Sequence, residues 1–275
     1  MMILIQNIRA LLIKYGKGSI MDSRKTLQDK IRKKLKSGDV VIGTWQQIPD
    51  PSISEILAES GYDWIAIDLE HGSIGISHLP NLIRSIENYN CLPIVRVADP
   101  SPQNCKQALD AGSGGVIIPM IKSANQLNEL IQECFWPPKG IRGVGYSRAN
   151  LFGKNFNNYY DEAQNPIIIS QIEHIDAVKN LDQILSIKYL DGIMVGPYDL
   201  SASMKITGDF SNPDFVTVMN EILAKCKNHN IPCGDHIVIP DEKLLKKRVE
   251  DGYNFIAYGT DGVFLFTSCM KPRLN

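Results

Sequence analysis

Two acidic residues, Glu173 and Asp199, end consecutive apolar runs in the second half of the 275-residue chain. The carboxyl ends of neighbouring parallel strands meet at one end of a barrel, so these carboxylates can converge on one point. Oxygen ligands without cysteine suit a hard divalent cation, Mg²⁺ or Mn²⁺, with Co²⁺ as a further candidate. The pair therefore predicts a metal site. The alternative is that each acid is simply solvated where a loop begins.

A histidine and an arginine end two earlier apolar runs. His71 follows the acidic block Asp68-Leu69-Glu70, and a histidine beside a cation can act as a general base. Hydrogen bonding within a turn is the alternative role for His71. Arg96 ends the run LPIVR and needs an anionic partner, which can be a ligand carboxylate or a protein acid. Gln171 shares a strand face with Glu173, because side chains alternate along a strand.

The elements that must position these residues are eight short apolar runs that alternate with amphipathic helical stretches. This rhythm predicts a single-domain α/β fold, a modified (β/α)8 TIM barrel. The alternative is an open doubly wound sheet, which the lack of a G-x-G-x-x-G motif after the first run disfavours. The predicted strands are 40–45, 64–70, 92–97, 114–120, 166–173, 192–199, 231–237 and 255–261.

Helix starts are readable from a capping residue followed by proline, as at Asp50-Pro51, Ser101-Pro102 and Asn212-Pro213. A leading helix is predicted over 22–36, a helical stripe over 175–185, and a long loop with a short helix over 135–164. The domain is predicted to cover 22–275. Residues 1–21 are read as an extension, either flexible or produced by a start placed too early. A secretory signal is the less favoured alternative.

The composition limits the possible partners. With 29 basic and 30 acidic residues the net charge is −1, so no basic field predicts nucleic-acid binding. No apolar run reaches membrane-spanning length, so no membrane partner is expected. Six cysteines without a C-x-x-C pair indicate buried thiols in a reducing compartment, which predicts a cytoplasmic protein.

The ordered motifs resemble the HpcH/HpaI family of metal-dependent pyruvate aldolases over roughly residues 43–265. Each motif is weak alone, but their order and spacing together are specific. They are Gly43-Thr44-Trp45, DLEH (68–71), VR (95–96), LDAG (109–112), PPKGIRGVG (137–145), QIE (171–173) and VGPYDLS (195–201).

The resemblance implies a class II aldolase that reversibly cleaves 4-hydroxy-2-oxo acids, of the 2-keto-3-deoxy type, to pyruvate and an aldehyde. It implies a homo-oligomer, a hexamer or trimer of dimers, with the C-terminal helix packing on a neighbour. Pro272 and the shortness of the C-terminal segment depart from that pattern. By the same resemblance, the metal ligands are Glu173 and Asp199, the catalytic residues are His71, Arg96 and the histidine-supporting Asp110, and Gln171 contacts pyruvate. The other predicted substrate-binding residues are Trp45, Gly196, Pro197 and His236.

The seventh predicted strand departs from the family pattern. It ends in Gly234-Asp235-His236, which is more polar than the segment expected there. The departure concerns the aldehyde half of the site. An imidazole at position 236 could donate a hydrogen bond to a hydroxyl or carboxylate of the aldehyde. The alternative is that His236 only anchors the loop that follows.

Three other functions stay open. A Schiff-base aldolase needs a desolvated lysine at a strand end, and Lys122 is the only near candidate. An acyl-CoA lyase of the same superfamily needs a nucleotide-binding surface, for which the sequence has no specific signal. A non-catalytic barrel could bind a keto acid or a partner protein, but His71, Arg96, Glu173 and Asp199 favour intact chemistry.

Overall fold

A computed structural model describes residues 23–271, and within them the chain forms a closed barrel of eight parallel strands. Each strand pairs with the next along the chain, and β8 closes the ring against β1, with Val41 opposite Phe255. This confirms the predicted (β/α)8 fold and excludes the open sheet. The strands are β1 Val41–Gln46, β2 Trp64–Asp68, β3 Leu92–Arg96, β4 Gly115–Ile118, β5 Ile167–Ile172, β6 Gly192–Val195, β7 Cys233–Ile237 and β8 Phe255–Thr260.

Helices surround the barrel, and their starts follow the capping signals. Asp50 accepts a hydrogen bond from Ser52 N–H, and Asn212 accepts one from Asp214 N–H, each just before a proline in the first turn. The helices are α1 Arg24–Ser37, α2 Pro51–Glu59, α3 Leu79–Glu87, α4 Pro102–Asp110, α5 Ala124–Gln132, α6 Phe156–Ala163, α7 Ile175–Lys179, α8 Leu181–Leu185, α9 Pro197–Ser203, α10 Pro213–His229, α11 Glu242–Asp251 and α12 Asp261–Ser268.

Helix α1 closes the end of the barrel where the strands begin. Its apolar residues Leu27 and Ile31 belong to the same buried cluster as Trp64 and Phe255, whose rings stack with centroids 4.5 Å apart. Gln28 Nε2 donates to the carbonyl of Gly114, just before β4, at 2.7 Å. This end of the barrel interior is therefore sealed by apolar packing.

The long connection between α5 and β5 carries the short helix expected there. It contains a 3₁₀ helix, Arg148–Gly153, and α6. Trp136 packs edge-on against Tyr159 at 5.2 Å, and the buried Arg142 donates to the Tyr159 hydroxyl at 3.1 Å. The connection is thus anchored by a small aromatic cluster of its own.

Two predicted elements differ from the structure. The sixth strand was expected to run through Asp199, but β6 ends at Val195 and Asp199 lies in the first turn of α9. Pro197 favours a helical first turn and cannot donate to a strand ladder. The predicted stripe 175–185 is two short helices that meet at Asn180.

Residues 1–22 and 272–275 lie outside the described part of the chain, and with them the predicted extension 1–21 and Pro272. No helix among residues 23–271 combines the length and the apolar character needed to cross a bilayer.

Candidate active site

The candidate active site is a cavity of about 310 Å³ at the carboxyl ends of the strands. It brings together residues from both halves of the barrel, as expected for this fold. Of the residues predicted from the sequence, the cavity wall includes Trp45, His71, Arg96, Gln171, Gly196, Pro197, Asp199 and His236.

Glu173 lies directly after β5 and is almost fully buried. One carboxylate oxygen accepts from the backbone N–H of Met120 and the other from Gln171 Nε2, both at 2.5 Å. Met120 takes a left-handed conformation, with φ 52°, which is unusual for a residue other than glycine. Burial, together with the carboxylates of Glu70 and Asp199, raises the pKa of Glu173 to about 7, although the Met120 bond opposes this rise.

Gly196 provides the space beside this carboxylate. A Cβ added to Gly196 would lie 2.8 Å from Glu173 Cβ and 3.0 Å from Gln171 Nε2. Asp199, three residues later, is exposed and acts electrostatically on Glu173. The two predicted metal ligands thus approach the same region from β5 and α9.

The carboxylates fit a hard cation. Glu173 is buried, and two further acids, Glu70 and Asp199, act on it electrostatically, so negative charge accumulates at the site. Carboxylate oxygens are the donors that Mg²⁺ and Mn²⁺ prefer. Across residues 23–271 no group of three His, Cys, Asp or Glu side chains could together hold a metal ion.

Arg96 is held rigidly at the end of β3. Its Nε and Nη2 donate to the two oxygens of Asp68 at 2.8 and 2.6 Å, and its Nη1 lies 3.0 Å from Glu70 Oε2. The guanidinium carbon lies 4.3 Å from the ring centroid of Trp45. Burial alone would raise the pKa of Asp68, but its bonds to Arg96 and Gln47 hold it below the usual value. Protein acids thus supply the anionic partners that the sequence required for Arg96.

His71 lies exposed at the rim of the cavity, and its backbone N–H donates to Asp68 Oδ1 at 3.2 Å. Asp110, expected to support His71, ends α4 and lies 3.8 Å from Arg142 Nη1. Burial raises the pKa of Asp110, and Arg142 opposes this. In the described part of the chain no hydrogen bond or ion pair joins Asp110 to His71. The structure therefore does not bring these two residues together within one chain.

The two polar residues of β7 face opposite sides. His236 faces the barrel interior, and its ring centroid lies 5.3 Å from that of Trp45. Asp235 faces the helical layer, where its Oδ2 lies 2.7 Å from Arg248 Nε. Only His236 is available to the cavity.

Sequence reasoning missed Gln47, which follows β1, lines the cavity and donates through Nε2 to Asp68 Oδ2 at 2.9 Å. Asp261, at the start of α12, accepts from the backbone N–H groups of Gln47 and Ile48 and so fixes this turn. Gln47 could have been found as a polar residue directly after the first strand. The backbone N–H of Met120, which bonds to Glu173, could not be predicted from the type of its side chain.

A (β/α)8 barrel with carboxylates, an arginine and a histidine at its open end defines this protein as a barrel enzyme. The chain belongs to the HpcH/HpaI aldolase/citrate lyase family, whose model matches residues 42–268, and it is a carbon–carbon lyase of the aldolase type.

Curated and solved relatives agree with this membership. A 5-keto-4-deoxy-D-glucarate aldolase of Salmonella arizonae is 35% identical over 238 residues, which are 86% of this chain and 92% of the relative. An HpcH/HpaI aldolase/citrate lyase family protein from Burkholderia cenocepacia is 29% identical with a TM-score of 0.81, covering 87% of this chain and 95% of that one. Macrophomate synthase is 25% identical with a TM-score of 0.76, covering 88% and 86%.

Proposed function

We propose that this protein is a class II, divalent-metal-dependent aldolase that reversibly cleaves 4-hydroxy-2-oxo acids to pyruvate and an aldehyde. The observation that carries the proposal is the buried Glu173 carboxylate, on which Glu70 and Asp199 act. It lies against Gln171 and Gly196, which line the cavity together with Arg96. The negative charge of these carboxylates favours the binding of a cation. The Arg96 guanidinium favours the binding of an anionic substrate oxygen.

Glu173 and Asp199 would hold the cation, Mg²⁺ or Mn²⁺, with Co²⁺ as a further candidate. When bound, such a cation supplies Lewis-acid polarisation of a 2-oxo acid. Gln171 orients Glu173 through its amide, and Gly196, having no side chain, lets the chain approach both of them closely. Pro197 and Trp45 contribute apolar walls against which a small methyl or methylene group can pack.

Arg96 places positive charge where the enolate oxygen of pyruvate develops negative charge. Its guanidinium is already oriented by Asp68 and by the Trp45 ring, so little reorganisation is needed during the reaction. The contacts with Asp68 and Glu70 use one N–H of Nη1 and one N–H of Nη2. The second N–H of each nitrogen is available to a substrate.

His71 acts as the general base in cleavage and takes the proton of the 4-hydroxyl through a water molecule. Its exposed position at the rim gives it access to solvent, which suits a residue that must exchange protons. Asp110 remains a proposed support for this histidine. Since it contacts Arg142 in its own chain, such support would have to come across a subunit boundary.

The alternatives are less well supported. Lys122, the candidate for a Schiff base, is exposed after β4 and lacks the desolvated surroundings that activate a lysine. A non-catalytic binding barrel would not require the convergence of Arg96, Glu173 and Asp199. The relatives named as aldolases favour the aldolase.

We further propose a cytoplasmic homo-oligomer, a hexamer or trimer of dimers. Five free cysteines are buried in the described part of the chain, which suits a reducing compartment. The exposed apolar residues Leu265 and Phe266 on α12 offer a surface for a neighbouring subunit.

The test is chelation followed by metal replacement, with an aldehyde panel and pyruvate. Exhaustive EDTA treatment is expected to abolish both aldol addition and exchange of the pyruvate methyl protons in deuterated water. Mg²⁺, Mn²⁺ or Co²⁺ is expected to restore both. Full activity without metal, combined with borohydride trapping of pyruvate on a lysine, would establish the Schiff-base alternative.

A further inference from the structure

The imidazole of His236 forms part of the cavity wall and carries a nitrogen that nothing in the described chain satisfies. Its Nε2 is buried and has no hydrogen-bond partner among residues 23–271. Buried polar atoms are almost always paired, so an unpaired one that lines a cavity indicates a bond made with a ligand. The same wall contains Val238, Val263 and Thr260.

The hydrogen bonding of the ring assigns its proton. The backbone of Gly259, whose carbonyl accepts from the Thr44 hydroxyl at 3.2 Å, lies beside the ring of His236 and opposes the fall of its pKa. Since Nε2 is unpaired, we assign the ring proton to Nδ1. Burial lowers the pKa of His236 to about 4, and the nearby Arg96 adds to this effect, so the ring is neutral at pH 7. Nε2 therefore presents a lone pair.

Several polar groups that line the cavity are bonded elsewhere and do not pair with His236. Gln47 Nε2 donates to Asp68, and so do Nε and Nη2 of Arg96. Thr260 Oγ1 accepts from the backbone N–H of Val263, as the cap of α12. Trp45 Nε1 is likewise buried without a partner, so the two rings, 5.3 Å apart, leave one donor and one acceptor for a ligand.

We propose that His236 Nε2 accepts a hydrogen bond from a hydroxyl on the aldehyde half of the substrate, which makes the enzyme selective for hydroxylated aldehydes. This inference rests on the proposed aldolase function. The proposed pyruvate half takes up Arg96, Gln171 and Glu173, which leaves His236 on β7 for the aldehyde half. A neutral lone pair does not attract a carboxylate, and Asp235, the other polar residue of β7, is paired with Arg248.

The direction of this bond reverses the sequence-based expectation, in which the imidazole would donate. An acceptor discriminates strongly, because a substrate analogue without the hydroxyl leaves the buried lone pair unsatisfied. An imidazole N–H, as a donor, would instead bind a hydroxyl and a carboxylate equally well.

The test uses two aldehydes that differ by one hydroxyl, 2-hydroxypropanal and propanal, each added to pyruvate by the metal-loaded full-length enzyme. We expect wild-type kcat/KM to favour 2-hydroxypropanal by at least about tenfold. His236→Phe, which keeps an aromatic ring but removes the acceptor, is expected to reduce this ratio to within about threefold of unity. His236→Gln, which restores an acceptor, is expected to recover part of it.

The ratio is internal to each enzyme, so a general loss of activity does not alter it. His229→Phe, at the half-buried C-terminal end of α10 and outside the cavity, is the matched control and is expected to keep the wild-type ratio. The inference is overturned if His236→Phe keeps the wild-type ratio of the two kcat/KM values, or if wild type prefers 4-oxobutanoate to 2-hydroxypropanal.

Exchange of the pyruvate methyl protons by wild type tests the proposed aldolase function separately. If exchange fails, the proposed function is wrong. If exchange occurs without selectivity for the hydroxylated aldehyde, only the role of His236 is rejected.

Discussion

Gly196 and Glu173 pack so closely that a Cβ on Gly196 would lie 2.6 Å from Glu173 Oε2, a distance that real Cβ atoms do not tolerate. The backbone of Gly196 has φ −100°, which any residue adopts, so glycine is required here for space alone. The α9 turn that carries Asp199 therefore approaches β5 only because position 196 has no side chain.

Gly196→Ala is expected to displace the Glu173 carboxylate and to lower kcat/KM by about ten- to a hundredfold, the effect of misplacing a ligand by an ångström. Mn²⁺ affinity, measured by calorimetry, should fall with it. Gly262→Ala is the control, because a Cβ there meets nothing within 4 Å and alanine favours the first turn of α12. Equal activity in the two variants would show that Glu173 does not need this space.

Arg96→Lys is expected to lower turnover by about one to three orders of magnitude while the far-UV circular dichroism stays that of the wild type. Lysine keeps the charge but cannot form the two parallel bonds to Asp68. Arg84→Lys, on the exposed face of α3, is the matched control. Wild-type turnover in a folded Arg96→Lys enzyme would remove Arg96 from the reaction.

Metal affinity is expected to depend on pH through Glu173. A cation binds the carboxylate and not the carboxylic acid, and burial raises the pKa of Glu173 to about 7. Mn²⁺ affinity should therefore fall about tenfold per pH unit below pH 7 and level off above it. Calorimetric titrations between pH 5.5 and 8.5 would show this. A flat profile would mean that Glu173 is ionised throughout, and that a neighbouring positive charge offsets its burial.

Stability is expected to fall on acidification because of His236. Its pKa is about 4 when folded and about 6.5 when unfolded, so below pH 6.5 the unfolded chain binds more protons. The stability contributed by the neutral ring is thus present above pH 6.5 and is lost toward pH 4, with a loss of about 2 kcal/mol at pH 5. Urea unfolding at pH 7.5 and pH 5 should show a smaller loss for His236→Phe than for wild type. Identical losses would place the imidazole in contact with solvent.

Much of the site could be predicted because its residues end strands. An apolar run that stops at a charged residue marks the carboxyl end of a strand, and Arg96, Gln171 and Glu173 all follow that pattern. Because the strands are parallel, their carboxyl ends then lie together at one end of the barrel. Asp199 was placed at the correct mouth but on the wrong element, although Pro197 indicated a helical first turn.

The other features of the site could not be predicted, because they depend on tertiary contacts that residue types do not encode. The N–H of Met120 reaches Glu173 only because Met120 adopts a left-handed conformation, and methionine has no preference for that region. The surroundings of His236 depend on the backbone of Gly259, which comes beside the ring only when β7 and β8 pair. Asp110 meets Arg142 through the long connection, whose path no periodic pattern specifies.

The pairing of β1 with β8 has a kinetic consequence. Thr44 and Gly259, which bond across that seam, are 215 residues apart, and closing so long a loop costs more chain entropy than pairing consecutive strands. Trp45 and Thr260 face each other across the same seam and both line the cavity. The cavity therefore has no complete wall until the last pair of strands meets. During refolding, recovery of ligand binding should lag behind recovery of helical circular dichroism, with the seam as the slow step.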